Sequence, residues 1–155
     1  MSKPVAAIDK TLTDLPASEQ HEALLEIFGE HVFWARNSVL ASIEGLITSE
    51  EKRERLAKLF SAPFDRAASL GDDERRIVME VLETGLDSFA KELLRIIGNE
   101  GLDVQINDCE AVRYRLDAEL CSTESGDVEA SQTISRGGKR FLPECWGRWL
   151  NKFHG

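Results

Sequence analysis

The chain predicts an α+β fold, with three main helices packed on one face of a three-stranded antiparallel meander and a short amphipathic helix at the C-terminus. Three observations lead there. Apolar residues recur at helical spacing through residues 18–100, the period changes to two between 102 and 135, and helical spacing returns in a basic, aromatic segment at 136–155. A chain of 155 residues suits one domain, which at this size buries roughly 68–70% of the surface its unfolded form exposes. Residues 1–17 hold two prolines and no sustained period, so they read as an N-terminal arm preceding a single domain at 18–155.

Ser18 offers an N-cap for a long first helix over 19–47. Leu25, Phe28, Val32, Ala35, Val39, Ile43 and Leu46 fall on one side of its wheel. Thr48 stands three residues before Glu51, a capping-box spacing that opens a shorter helix with Leu56, Leu59 and Phe60 as its buried stripe, ending before Pro63. Asp72 and Asp73 open the third helix by placing negative charge at its positive dipole end. Its expected core stripe is Val78, Leu82, Gly85, Leu86, Phe89, Leu93, Ile96 and Ile97, with Glu80, Glu83, Thr84, Asp87, Lys91 and Arg95 on the other side, and Gly98-Asn99 closes it. Gly85 costs about 1 kcal/mol relative to alanine inside a helix, so its place in an apolar stripe implies the close approach of another helix.

Beyond Gly101, Leu102, Val104 and Ile106 alternate with polar residues, and Val112, Tyr114, Leu116, Ala118 and Leu120 do so more clearly. After the turn-rich segment 122–127, Val128, Ala130 and Ile134 share one face of a third strand. Leu120 should pair with Ala130 and Leu116 with Ile134, because a slip of one residue would turn one apolar set to water. Pro143 suits the first turn of a final helix on which Trp146, Trp149, Leu150 and Phe153 align.

The charge is unevenly divided. Nineteen bases against 28 acids give a formal −9, yet residues 136–155 set Arg136, Lys139, Arg140, Arg148 and Lys152 against Glu144, leaving −13 for residues 1–135. Such segregation implies separate contacts or an internal electrostatic clamp. A pI near 4.9 argues against nucleic acid as a partner of the body and for a basic protein. No apolar run approaches the ~20 residues that span a bilayer, the start lacks a signal-like apolar segment, and three cysteines without C-x-x-C spacing suit a reducing compartment. The expectation is a soluble cytoplasmic protein without a membrane partner.

Few residues suggest chemistry. His21 and His31 lack metal-ligand spacing, and Glu22, Glu26 and Glu30 form a row typical of a solvated face, so neither a metal nor another cofactor is expected. Cys145 is the best-placed thiol, near Arg140 and His154, but its sequence surroundings favour a small buried residue beside two tryptophans over a nucleophile. The loop Arg136, Gly137, Gly138, Lys139 and Arg140 joins two glycines to three cations ahead of a helix and could hold a phosphate; the plainer account is a loop whose cations pair with the acidic body. Trp34 lies opposite the main stripe of the first helix, which means either that this helix packs on two sides or that it displays an aromatic to a partner.

These features lead to an expected non-enzymatic protein-binding module. Trp34, Glu80, Glu83 and Asp87 are the candidate contacts to a basic partner, an arrangement comparable in charge and size to small acidic inhibitors such as immunity proteins. The Trp34 face also offers a route to self-association. The alternatives are a binder of a phosphorylated small molecule or nucleotide through Arg136–Arg140 and, third, an enzyme using Cys145.

Overall fold

The computed structural model describes residues 12–98, 104–105, 107, 109, 111–112, 114–136 and 141–153. A short 3-10 turn, Leu12–Asp14, precedes five α-helices: α1 (Ala17–Thr48), α2 (Glu50–Glu54), α3 (Lys58–Ala68), α4 (Asp72–Gly98) and α5 (Leu142–Phe153). Between α4 and α5 lie strands β1 (Val104–Gln105), β2 (Ala111–Val112), β3 (Asp117–Cys121) and β4 (Val128–Thr133). The chain divides into two compact units, residues 33–89 and the remainder.

The expected three-stranded meander does not form. The described residues are mostly helical, and their strands make two separate antiparallel pairs, β1 with β2 and β3 with β4. The apolar alternation from Val112 to Leu120 predicts one strand, but Tyr114, Arg115 and Leu116 belong to neither ladder. Leu116 is instead tied into a turn: its carbonyl accepts from Ile134 N at 2.9 Å and its N–H donates to Ser135 Oγ at 3.1 Å. Period two reports which side chains share a face, not which backbone they pair with. Within the β3–β4 pair the expected register is present, with Leu120 opposite Ala130 and an irregularity only beyond Leu120. Gly126, at φ +78°, makes the turn with the left-handed backbone that favours glycine. Leu102 and Ile106 of the expected first strand lie outside the described residues, as do most of the N-terminal arm and Asn99.

The larger unit holds an aromatic core. Trp149 is wholly buried, edge-on to Phe28 at 6.0 Å and to Trp146 at 6.4 Å, with Leu24, Leu25, Leu94, Ile134, Leu142 and Cys145 buried in the same unit. Gly29 admits the Trp149 indole against α1, since a Cβ there would overlap its ring. Three polar contacts fix this packing. His21 Nε2 donates to the Arg136 carbonyl at 2.9 Å, Gln132 donates to Gln20 at 2.6 Å, and Arg148 and Lys152 on α5 both engage Glu26 on α1. Arg148 and Lys152 thus clamp α5 to α1 through Glu26.

The unit at 33–89 is held differently. Ser49, one residue after the expected cap, accepts from Lys52 N at the start of α2, while Thr48 is the last residue of α1 and its hydroxyl donates to the Glu44 carbonyl. Arg53 donates from NH1 to the Leu46 and Ile47 carbonyls, both at 2.9 Å, and from Nε to Asp65 at 3.0 Å, so one guanidinium caps α1 and grips α3. Pro63 does not end its helix: α3 continues to Ala68 with the proline in its interior. Phe60, assigned above to a buried stripe, is exposed.

Candidate functional site

On α4 the expected division into core and solvent sides is turned around the helix axis. Glu83 and Asp87, assigned to the solvent face, converge on Arg36 of α1. Arg36 Nε donates to Asp87 Oδ1 at 2.6 Å and NH2 to Asp87 Oδ2 at 3.1 Å, a bidentate fork, while NH2 also reaches Glu83 Oε1 at 2.6 Å and NH1 reaches Asn37 at 2.8 Å. The guanidinium stands 5.6 Å from the centroid of the Phe33 ring. Burial pulls the Arg36 pKa down, but the hydrogen bonds and charges of Asp87 and Glu83 outweigh it and hold the group above the ordinary arginine value. Arg36 is therefore a permanently charged tie between α1 and α4. The sequence signal for it is the carboxylate pair Glu83 and Asp87 at i and i+4, spaced to receive one forked cation.

Val78, Gly85 and Phe89, assigned to the core stripe, lie on the outside with Ile77 and Val81. Val81 and Phe89 are each 67% exposed. Among the described residues nothing comes within 4 Å of the place a Gly85 Cβ would occupy, so the close approach inferred for this glycine is not made by any of them. On α1, Trp34 is 60% exposed, and Asn37 and Ala41 beside it on the wheel are exposed as well.

The balance of this unit is unusual. Its buried large apolar side chains among the described residues are Phe33 and Ile47, against exposed Trp34, Val39, Phe60, Ile77, Val78, Val81 and Phe89. Large exposed apolar patches on soluble domains mark interaction surfaces. Of the proposed acidic contacts, Glu80 stands at the surface within 3.2 Å of Arg76, whereas Glu83 and Asp87 are committed to Arg36.

The alternative site is less complete. Gly137, Gly138, Lys139 and Arg140 lie outside the described residues, and Arg136 is half-buried, with Nε and NH2 lacking an acceptor among the described residues. In the same unit a cleft of about 540 Å³ is lined by Lys91, Arg95, Pro143, Glu144, Trp146 and Gly147, but Arg95 is already engaged by Glu92 at 2.8 Å. Cys145 is fully buried, its thiol 3.6 Å from the Phe141 carbonyl, and His154 lies outside the described residues. Among the described residues no three His, Cys, Asp or Glu side chains gather as metal ligands, and no helix is long and apolar enough to cross a membrane. Compared with protein-family models, with curated proteins and with solved structures, the chain matches none.

Proposed function

We propose that the protein is a protein-binding module whose recognition surface lies on the helical unit at 33–89, with Trp34 as an aromatic anchor and a basic protein as partner. The observation that carries this reading is the inversion of burial in that unit, where exposed large apolar side chains outnumber buried ones. Trp34 suits an anchor because tryptophan supplies a large contact area with little conformational freedom to lose, and small neighbours such as Ala41 leave room for a partner beside it. The preference for a basic partner comes from charge. Residues 33–89 carry eleven acids and eight bases, and the chain as a whole stands at −9.

Trp34→Ala tests the anchor. At 60% exposure the substitution should cost less than about 1 kcal/mol of stability, against roughly 3–5 kcal/mol for a core tryptophan, while removing capture of a basic partner from the native host's extract. Normal capture by the well-folded variant would sink the assignment. A second reading rests on Arg136, whose buried Nε and NH2 would donate hydrogen bonds to the oxygens of a phosphorylated small molecule. For that reading Arg136→Gln, and not Trp34→Ala, should abolish ligand binding, as measured by calorimetric titration with nucleotides.

A further inference from the structure

We infer that the outer face of α4 is a self-complementary contact surface through which two copies of this chain associate, crossing at Gly85. The argument begins with the glycine. In a helix interior it costs about 1 kcal/mol relative to alanine, and here none of the described residues uses the space it leaves open. A glycine on a helix surface earns its place where another backbone must come close.

The residues around it say which backbone. Val81 and Phe89 lie one turn before and one turn after Gly85, both well exposed, and Ile77 extends the row by another turn. Positions 77, 81, 85 and 89 form a single i±4 ridge, the row that interlocks with its own kind when two helices cross at about −50°. In an isologous contact each residue pair occurs twice. With Gly85 on the two-fold axis, Val81 of one copy meets Phe89 of the other, and the two glycines face each other at the crossing. A small residue in the middle with a larger apolar residue a turn away on each side is the pattern such a contact needs.

Charge also favours a second copy over a basic protein on this face. From Ile77 to Phe89 the outward positions Ile77, Val78, Val81, Gly85, Ser88 and Phe89 include no charged residue, although Glu80, Glu83 and Asp87 lie in the same span and Asp72, Asp73 and Glu74 open the helix just before it. Those acids are occupied within the chain: Asp72 by Arg75, Asp73 and Glu80 by Arg76, and Glu83 and Asp87 by Arg36, while Glu74 accepts from Gly71 N. A basic partner would find no ring of free carboxylates around the stripe. A like-charged copy would find an uncharged strip on which repulsion is least. One helix crossing buries less than the ~1,200 Å² typical of stable complexes, so the dimer is weak and forms at high protein concentration.

Sedimentation equilibrium on the full chain tests this over a concentration series reaching about 1 mM, a range in which even a weak contact is populated. The wild type should shift from monomer to dimer. Gly85→Leu should weaken association at least about tenfold while raising the melting temperature, because the site is open and leucine is the better helix former. Val81→Asp should weaken association similarly, and Trp34→Ala should leave it unchanged, which separates this contact from the Trp34 surface. In a chain carrying Cys109→Ser and Cys121→Ser, Gly85→Cys should oxidise to a disulfide-linked dimer, whereas Glu80→Cys, on another side of the helix, should not. A wild type that stays monomeric throughout, a Gly85→Leu chain that associates normally, or equal cross-linking from position 80 would each overturn the inference.

Discussion

Removing Arg36 should destabilise the protein far more than removing any of its surface arginines. The residue is 6% exposed, and its guanidinium makes three hydrogen bonds to two carboxylates. Breaking a buried ion pair by deleting one partner costs roughly 3–5 kcal/mol, mainly because the remaining charge is left uncompensated. In Arg36→Ala the stranded charges are Asp87 and Glu83, whose side chains are 25% and 36% exposed. Partial hydration softens their desolvation, which places the loss near the lower end, about 3 kcal/mol. Asp87→Ala takes away two of the three bonds and leaves the cation buried with Glu83 alone, a loss of similar size. Glu83→Ala removes one bond from a more exposed acid and should cost about 1–2 kcal/mol. The internal control is Arg55, paired with Glu51 at 75% exposure on both sides, where Arg55→Ala should cost under about 0.5 kcal/mol. Urea unfolding followed by far-UV circular dichroism measures all four, and at this chain length 1 kcal/mol corresponds to about 2–4 °C in melting temperature. Replacing Arg36, Glu83 and Asp87 together with leucine should recover most of the loss, since apolar substitutes for a whole buried ion cluster are often neutral. If Arg36→Ala and Arg55→Ala cost the same, Arg36 is not the tie between α1 and α4.

Two further expectations concern the larger unit. Gly29→Ala places a methyl group in the Trp149 ring and should destabilise by about 1–3 kcal/mol despite alanine's better helix propensity, with a change in tryptophan fluorescence as the accompanying signal. Asp117 accepts from the Thr133 hydroxyl at 2.5 Å and from Arg115 Nε at 2.8 Å, which together hold its carboxyl below the usual range against a smaller opposing effect of desolvation. A depressed folded-state pKa contributes stability that is present above the unfolded value, about 3.9, and is lost as pH falls through the folded value. An NMR titration of Asp117 should therefore give a midpoint below that of a free aspartate, and Thr133→Val should move it upward; an unshifted midpoint in the wild type would contradict the hydrogen bond.

Much of this organisation was legible in the sequence because it follows from local rules. The long helices α1 and α4 declared themselves by apolar recurrence and by the acids at the start of α4. The β3–β4 register followed from the apolar faces of Leu120 and Ala130. The docking of α5 followed from the spacing of Trp146 and Trp149, both buried. What failed depended on partners distant in sequence. The meander dissolved because backbone pairing beyond a hairpin is not encoded in alternation. Periodicity alone turns Phe60 and Val39 inward, yet both are exposed. The site is half legible: Trp34 stands out by its place off the stripe, while Glu83 and Asp87 read as surface acids because their counter-ion lies 47 and 51 residues away.

That ion cluster also explains why α4 shows its apolar residues to solvent. Successive residues of an α-helix advance by about 100° around the axis, so turning Asp87 toward Arg36 places Phe89, two residues on, about 160° away on the far side. The same rotation that brings Glu83 inward carries Val81 outward by the same angle. A purely apolar contact would tolerate a range of rotations; a bidentate fork with donor distances of 2.6 and 3.1 Å does not. The buried arginine therefore fixes which way α4 faces, and the exposure of Val81, Gly85 and Phe89 is the geometric consequence. The all-leucine replacement of the cluster separates the two roles: it should keep the stability of the unit while freeing the rotation of α4. If the outer stripe then becomes protected from solvent, as read by the reactivity of a cysteine placed at Val81, the ion cluster serves to keep that face turned out; if its exposure is unchanged, apolar packing alone sets the rotation and this account of α4 fails.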